Sequence, residues 1–405
     1  MIADFKLFLV STFFFTIFLI PIWLESLGAN TAYQFFFYPL FIVFFRKEIQ
    51  IPSPLIILGI FMYSSILIIS IFINDHYVHF IDRRFISFVI FISMFFLTFV
   101  RFNQDHIIAF KFSLIVAALI DLIPSLIEAF QIGLGNLSGL SKFTIADGGT
   151  RYGFVYLMAF WVSFLFKADN NYFKILKYLI LLLMILGILL TFNRSSFLAL
   201  ILSIFFYFLY YVFFGNESIK RKVYSLLFAL LISSLFIVFV LSFAPYLFTF
   251  FEIFLLKPII DGSILNFAPS SKITYVSQWS SEGYRIFIYS EIMDFVSNNL
   301  FLGSGFLGVW ILFDELSGSA HGQYQDVIFR TGIIGSLYYF FIITLICKEL
   351  FKSKHTELFW GFFAILIFSF FNESFALGTG KFILAFLLAI CFQKDLIIRS
   401  TGREN

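Results

Sequence analysis

The chain has 405 residues, 61% of them hydrophobic and 13% charged, with a formal net charge of +3. A soluble domain of this length cannot hide so much apolar surface and keep a polar skin, so the bilayer must be the solvent for most of it. The small net charge gives no basis for nucleic-acid binding, and Phe, at 66 copies, suits lipid-facing positions more than a specific function.

A spanning helix needs roughly 20 apolar residues. Apolar runs fall at 5–24, 33–45, 55–73, 85–100, 107–130, 152–166, 178–192, 197–214, 223–243, 326–346, 357–371 and 381–393. They predict an all-α, polytopic membrane helix bundle of about twelve transmembrane helices, forming a single integral membrane domain over 1–405. Leu7 to Leu24 is too long for a signal-peptide core and lacks an A-x-A site, so it is expected to be retained as the first helix. Between the ninth and tenth runs, residues 244–325 form one large external loop, broken by Pro245, Pro258 and Pro269. Within it, Phe287 to Phe313 stays apolar with polar interruptions, which predicts interfacial helices lying against the bundle.

Lys and Arg set the orientation. Placing both termini in the cytoplasm puts most of the 27 cations inside, and the Lys220–Arg221–Lys222 cluster is the firmest anchor. Lys dominates inside and Arg outside. Lys is a hydrated point charge, whereas Arg is a planar fork that grips phosphate or carboxylate through paired donors. The external arginines run against the topological bias, and a shared anionic ligand accounts for the set better than separate headgroup contacts.

Other polar features have plainer readings. Asp75, His76, His79, Asp82, Arg83 and Arg84 form a solvated, salt-bridged external turn rather than a metal site. Asp121 and Glu128 share a face of a helix that also carries Pro124, and that face cannot point at lipid. They either line a cavity or hydrogen-bond a neighbouring helix. Cys347 and Cys391 are packing residues rather than a disulfide or metal pair. No D-x-D or His/carboxylate cluster stands at metal-ligand spacing, so no metal and no cofactor is expected.

Three stretches carry a resemblance. Thr191–Leu198 reads Thr-Phe-Asn-Arg-Ser-Ser-Phe-Leu, at the end of one helix and the start of the next. Glu282-Gly-Tyr-Arg-Ile-Phe-Ile-Tyr is followed by Asn299-Leu-Phe-Leu-Gly-Ser-Gly-Phe. Ser319-Ala-His-Gly-Gln-Tyr-Gln-Asp runs into Arg330-Thr-Gly-Ile-Ile-Gly. In order and spacing these resemble elements of the O-antigen polymerase and ligase superfamily, written T-x-S-R-[GS]-[AS], S-G-R-x-x-x-[WY]…P-x-x-G-x-G-[FY] and [ST]-x-H-N-x-[YF]-L…G-[IL]-x-G. The sequence departs from them at Asn193, where Ser is usual, at Gly322, where Asn is usual, and in lacking the Pro. The resemblance is strong over about 190–340 and elsewhere is one of topology. Arg151, after Asp147-Gly-Gly-Thr, stands where many members place an external Arg.

The resemblance implies an inner-membrane enzyme, its large loop periplasmic, that moves a glycan from undecaprenyl diphosphate to an acceptor hydroxyl. Undecaprenyl-diphosphate-linked oligosaccharide and membrane lipid would then be its partners, together with a chain-length regulator and a flippase. Negative charge grows on the departing diphosphate, and fixed guanidinium groups would stabilise it without metal. Arg194 and Arg285 come first for that role, with Arg151 and Arg330 behind them. His321 is the best-placed base for the acceptor hydroxyl, since imidazole titrates near neutrality; Glu282 and Asp326 are runners-up and would contact substrate. Gly332 and Gly335 read as helix-packing positions. Polymerase is the leading reading, ligase to lipid A-core the second. A lipid-linked oligosaccharide flippase is the third, disfavoured because no internal repeat is visible.

Overall fold

The computed structural model describes residues 10–18, 48–73, 95–132, 153–214 except 169 and 192, 281–313, 320–375 and 378–393, with a few isolated positions between. Regular structure among them is helical: α1 (Pro54–Ile73), α2 (Gln104–Ile132), α3 (Gly153–Phe164), α4 (Asn171–Leu190), α5 (Arg194–Phe214), α6 (Ser281–Asn298), α7 (Gln323–Lys352), α8 (Thr356–Phe368) and α9 (Gly378–Cys391). Five of these, α1, α2, α4, α5 and α7, are long and apolar enough to cross a membrane. The chain divides into two compact units, 1–200 with 299–405 and 201–298.

In the first unit, α3 is the hub. Residues Gly153 to Ser163 are all buried, with α2, α4 and α8 packed around them. Trp161 of α3 stacks on Trp360 of α8 with ring centroids 5.6 Å apart. A Phe cluster joins residues 10–18, α2 and α9: Phe110 stacks on Phe386 at 4.1 Å, and Phe14 and Phe102 meet the same ring edge-on at 5.4 and 4.8 Å. The abundance of Phe is here a packing device, since edge-to-face and offset pairs suit its quadrupole. Outward positions such as Phe61, Ile175 and Leu182 are exposed and apolar, the pattern of a surface solvated by lipid. Hydroxyls inside the helices return to the preceding turn: Ser70 donates to Ile66 O, Thr331 to Val327 O and Ser369 to Ile365 O, each at 2.7 Å. This is how a polar side chain is tolerated away from water.

One end of this unit is closed by internal ties. Gln393 accepts from Phe102 N at 2.9 Å and donates to Val100 O at 2.6 Å. Lys111 pairs with Glu357 and lies 3.2 Å from His355 Nδ1. Cys391 and Cys347 are free thiols, and the Cys391 thiol points at Ile346 O, 3.8 Å away. The opposite end carries the turn between α4 and α5, the start of α7 and the turn between α8 and α9.

The apolar run at 85–100 is not one continuous helix. Phe95–Phe99 is a 3-10 turn, because the backbone there is claimed from outside: Gln50 N donates to Phe99 O at 2.7 Å and Arg101 N to Glu48 O at 2.6 Å. The stretch Phe287 to Phe313 is likewise divided rather than one continuous helix. The helix α6 ends at Asn298, and residues 303–309 are buried in the first unit rather than lying on its surface. Gly305, at φ +72°, comes so close to α1 that a Cβ there would stand 2.4 Å from Leu67 O. Phe306 stacks on Phe88 at 5.1 Å. Of the proposed loop, residues 244–280 lie outside the described residues, as do the charged turn at 75–84 and the Lys220–Lys222 cluster.

The helix α7 is broken at Gly332, which adopts φ +60° and ψ −162°. An unbroken helix would pair Ile333 N with Phe329 O. The break parts them, and both find partners on the segment after α6: Ile333 N donates to Leu300 O at 2.9 Å, and Ser304 N donates to Phe329 O at 2.8 Å. The packing expected of Gly332 is present, since a Cβ would sit 2.5 Å from Phe301 C and O, but its left-handed backbone is the larger requirement. Gly332→Ala should therefore destabilise the fold by more than about 1 kcal/mol, with the close approach adding to it. A lower thermal midpoint for the detergent-purified protein is the expected result. Gly361→Ala, whose nearest neighbour is the flexible Met158 side chain at 3.0 Å, should cost less.

Candidate functional site

The turn between α4 and α5 is only three residues long. Thr191 ends α4, its N–H returning to Gly187 O at 3.1 Å. Asn193 caps α5, its side-chain oxygen accepting from Ser195 N at 3.0 Å. Ser is the commoner residue at this position of the motif, and both types are good N-caps. Arg194 is thereby fixed as the first residue of α5, at the tip of the turn; its side chain lies outside the described residues. Ser196, fully buried, sits against the start of α3: a Cβ on Gly153 would fall 1.9 Å from Ser196 Oγ and 3.5 Å from Phe368. The starts of α3 and α5 and the end of α8 therefore meet. Arg151, two residues before Gly153, is itself outside the described residues.

The end of α8 leads to the start of α7. Gln323 N donates to Ser369 O at 2.9 Å, Phe375 N donates to Gln323 Oε1 at 2.9 Å, and the Tyr324 hydroxyl donates to Leu366 O at 2.8 Å. Ala320 N donates to the Glu373 carboxylate. His321 stands between these ties with φ +56°, a left-handed backbone, and is half-buried. Non-glycine residues rarely hold that conformation, and surrounding structure must over-determine it where they do. Gly322 is the N-cap of α7. The space a side chain there would enter is filled by the Gln325 amide, whose Oε1 lies 2.1 Å from an ideal Cβ at 322.

Four charged side chains gather here: Arg330 and Lys381 lie within electrostatic reach of each other and of both Asp326 and Glu373. Arg330 Nε donates to both Asp326 oxygens at 2.8 and 2.7 Å, and Nη1 donates to Phe306 O at 2.6 Å. Its guanidinium lies on Gly308, where a Cβ would come within 2.3 Å of Nη2. The glycines after α6 thus serve concrete ends. Gly303 lets the backbone approach Phe329 O, and Gly308 makes room for Arg330. Among the four arginines singled out, Arg330 has its charge answered inside the protein. Glu373 and Lys381 belong to this charge cluster, and the sequence alone does not single them out. The signal for Glu373 is an acid standing between two apolar runs.

Asp121 accepts from the Tyr156 hydroxyl at 2.6 Å, which favours the helix-pairing alternative for this residue; the Glu128 side chain is outside the described residues. The side chains of Glu282 and Arg285 are likewise undescribed, although both residues lie on α6.

Residues 179–340 match a family model described as O-antigen ligase. The match holds the α4–α5 turn, Glu282, Arg285, His321, Asp326 and Arg330, and stops short of Glu373 and Lys381. No curated protein matches the chain.

The Asp326–Arg330 pair yields a stability test. Their side chains are 7% and 24% exposed. Breaking a fully buried pair costs about 3–5 kcal/mol; the partial exposure of Arg330 lowers the expectation to about 2 kcal/mol for Asp326→Asn. Arg330→Lys should also destabilise, because Asp326 and Phe306 O are reached from two different nitrogens of the guanidinium and Lys offers one. Thermal midpoints and membrane abundance measure both, and native values for both variants would remove this pair from the account of the fold.

Proposed function

We propose that this chain, whose residues 179–340 match the O-antigen ligase family model, is a glycosyltransferase of the O-antigen polymerase and ligase superfamily using a glycan donor linked to undecaprenyl diphosphate. The acceptor hydroxyl attacks the anomeric carbon of the donor, the bond to the diphosphate breaks, and the hydroxyl proton passes to His321. Undecaprenyl diphosphate leaves. Arg194 and Arg285 stabilise the charge that develops on it, in place of a metal. Arg151, Arg330, Glu282 and Asp326 complete the substrate surface. The observation that carries this reading is the family match together with the convergence of its two motifs: the α4–α5 turn and the His321 turn both abut the end of α8. The donor's lipid stays in the bilayer, so the reaction belongs at the periplasmic face of the inner membrane, with both termini cytoplasmic.

The acceptor is another lipid-linked repeat unit, which makes the protein a polymerase of O-antigen or a related surface polysaccharide. The departures at Gly322 and along Gln323–Asp326 favour this reading. The description attached to the family model favours the ligase alternative. Deletion of the gene separates the two. Single repeat units capping lipid A-core are expected of a lost polymerase, whereas full-length polymer left on the carrier would establish a ligase.

The arginines give a second test, based on shape rather than charge. Lys keeps the positive charge and loses the fork. Loss of one such transition-state contact costs on the order of 3 kcal/mol, about a hundredfold in rate. Arg194→Ala and Arg285→Ala should nearly abolish glycan assembly at normal protein levels, and the Lys variants should retain a small part of it. Near-native assembly in both Lys variants would reduce these residues to plain outward charges.

A further inference from the structure

The peptide before Ala320 and the peptide after Gly322 are both tied to the turn between α8 and α9. Ala320 N–H goes to the Glu373 carboxylate, and Gln323 N–H goes to Ser369 O at 2.9 Å. The turn is bound back through Phe375 N to Gln323 Oε1 at 2.9 Å, and is stiffened by the Ser369–Ser374 hydroxyl pair at 2.8 Å. His321 lies between these anchor points in a left-handed conformation that is uncommon for residues other than glycine. Of the two ties, the one through Ser369 uses backbone alone. The other depends on a side chain, and it lies outside the 179–340 match.

We propose that Glu373 is the positioning residue of His321: by accepting the Ala320 N–H it holds the left-handed backbone from which the imidazole meets the acceptor hydroxyl. The inference rests on the reading of His321 as the base. What matters is an acceptor at the reach of Glu373, not its charge. Arg330 already has Asp326 and Phe306 O as hydrogen-bond partners; Glu373 also faces Arg330 and Lys381 as a charge, and the Gln variant separates that role from the hydrogen bond. A small displacement of a catalytic group is enough to slow the chemistry severely.

Three substitutions separate reach from charge. Glu373→Gln keeps the acceptor at full length. Glu373→Asp keeps the charge but withdraws it by one methylene. Glu373→Met keeps the volume and has no oxygen. Each is measured in proteoliposomes supplied with the host's lipid-linked repeat unit, at matched protein abundance. Gln should remain within about fivefold of native turnover, and Asp and Met should fall at least about thirtyfold, with KM for the donor changed less than about threefold. Adding Glu373→Asp to His321→Ala should cause no further loss, since the carboxylate acts through the imidazole. A purely structural role would lower abundance or add to the His321→Ala loss. Native turnover in Asp and Met, or equal loss in Gln and Asp, overturns the proposal while leaving His321 as the base. Full activity of His321→Ala overturns the base itself and this inference with it. Failure of both Asp and Met to accumulate, with Gln normal, would make Glu373 a folding residue and also reject it.

Discussion

A helix surrounded by lipid and other helices cannot leave a backbone N–H and C=O unpaired without a cost of several kcal/mol. The break in α7 at Gly332 creates such a pair, Phe329 O and Ile333 N, and the segment 300–304 answers both. This exchange fixes the rest of the arrangement. It draws residues 303–309 into the first unit, where Phe306 and Leu307 join the core formed by Leu67, Ile71 and Phe88. It brings Phe306 O within reach of Arg330, and it requires glycine wherever the two backbones approach most closely. It also separates the first limb of α7, which begins beside His321, from the long limb that continues to Lys352.

The two ends of the first unit handle polarity differently. At the closed end, the amide of Gln393 and the trio of Lys111, His355 and Glu357 bind one another or the backbone. At the other end, two acids and two bases share a small region, and the buried hydroxyls of Ser196, Ser304 and Thr379 have no hydrogen-bond partner among the described residues. Buried polar groups are normally satisfied. Both ends keep exceptions, His355 Nε2 and Trp360 Nε1 at the closed one; what sets the other end apart is a left-handed His beside a charge network, the mark of a region organised for something other than stability. That asymmetry points to the same end as the family motifs do.

Much of this is legible in the sequence, and what is not has physical reasons. Apolar runs predict the long helices because hydropathy reads the bilayer directly; α2 and α7 are longer than their apolar runs because charged and polar residues continue at their ends. The 3-10 turn at Phe95–Phe99 is invisible there, since its cause lies in Glu48 and Gln50. The spacing of Gly332 and Gly335 announces close packing but not a positive φ, which depends on the segment 300–304. Asp121 can be placed on a protein-facing side of its helix, yet its partner Tyr156 comes from another helix and no local pattern names it. Glu373 and Lys381 join the region only because α8 and α9 are short and return the chain to the start of α7. A pattern centred on His321 does not extend that far.

The departures from the family pattern are informative for the same reason. Asn193 in place of Ser changes the residue and keeps the function of the position, because either side chain can accept the N–H two residues on, and Arg194 remains the first residue of α5. Gly322 in place of Asn removes an amide, but the Gln325 amide folds back into the vacated space. The missing Pro before Gly303 leaves an N–H-bearing backbone at a segment that exchanges hydrogen bonds with α7. In each case the local physics accepts the substitution because what the position must supply is a cap, a filled volume or a close approach, and more than one side chain can supply it. The positions where that tolerance ends are those that require a left-handed backbone or a fork, Gly332 and Arg330, and there the sequence keeps the residue the pattern names or the one the geometry demands.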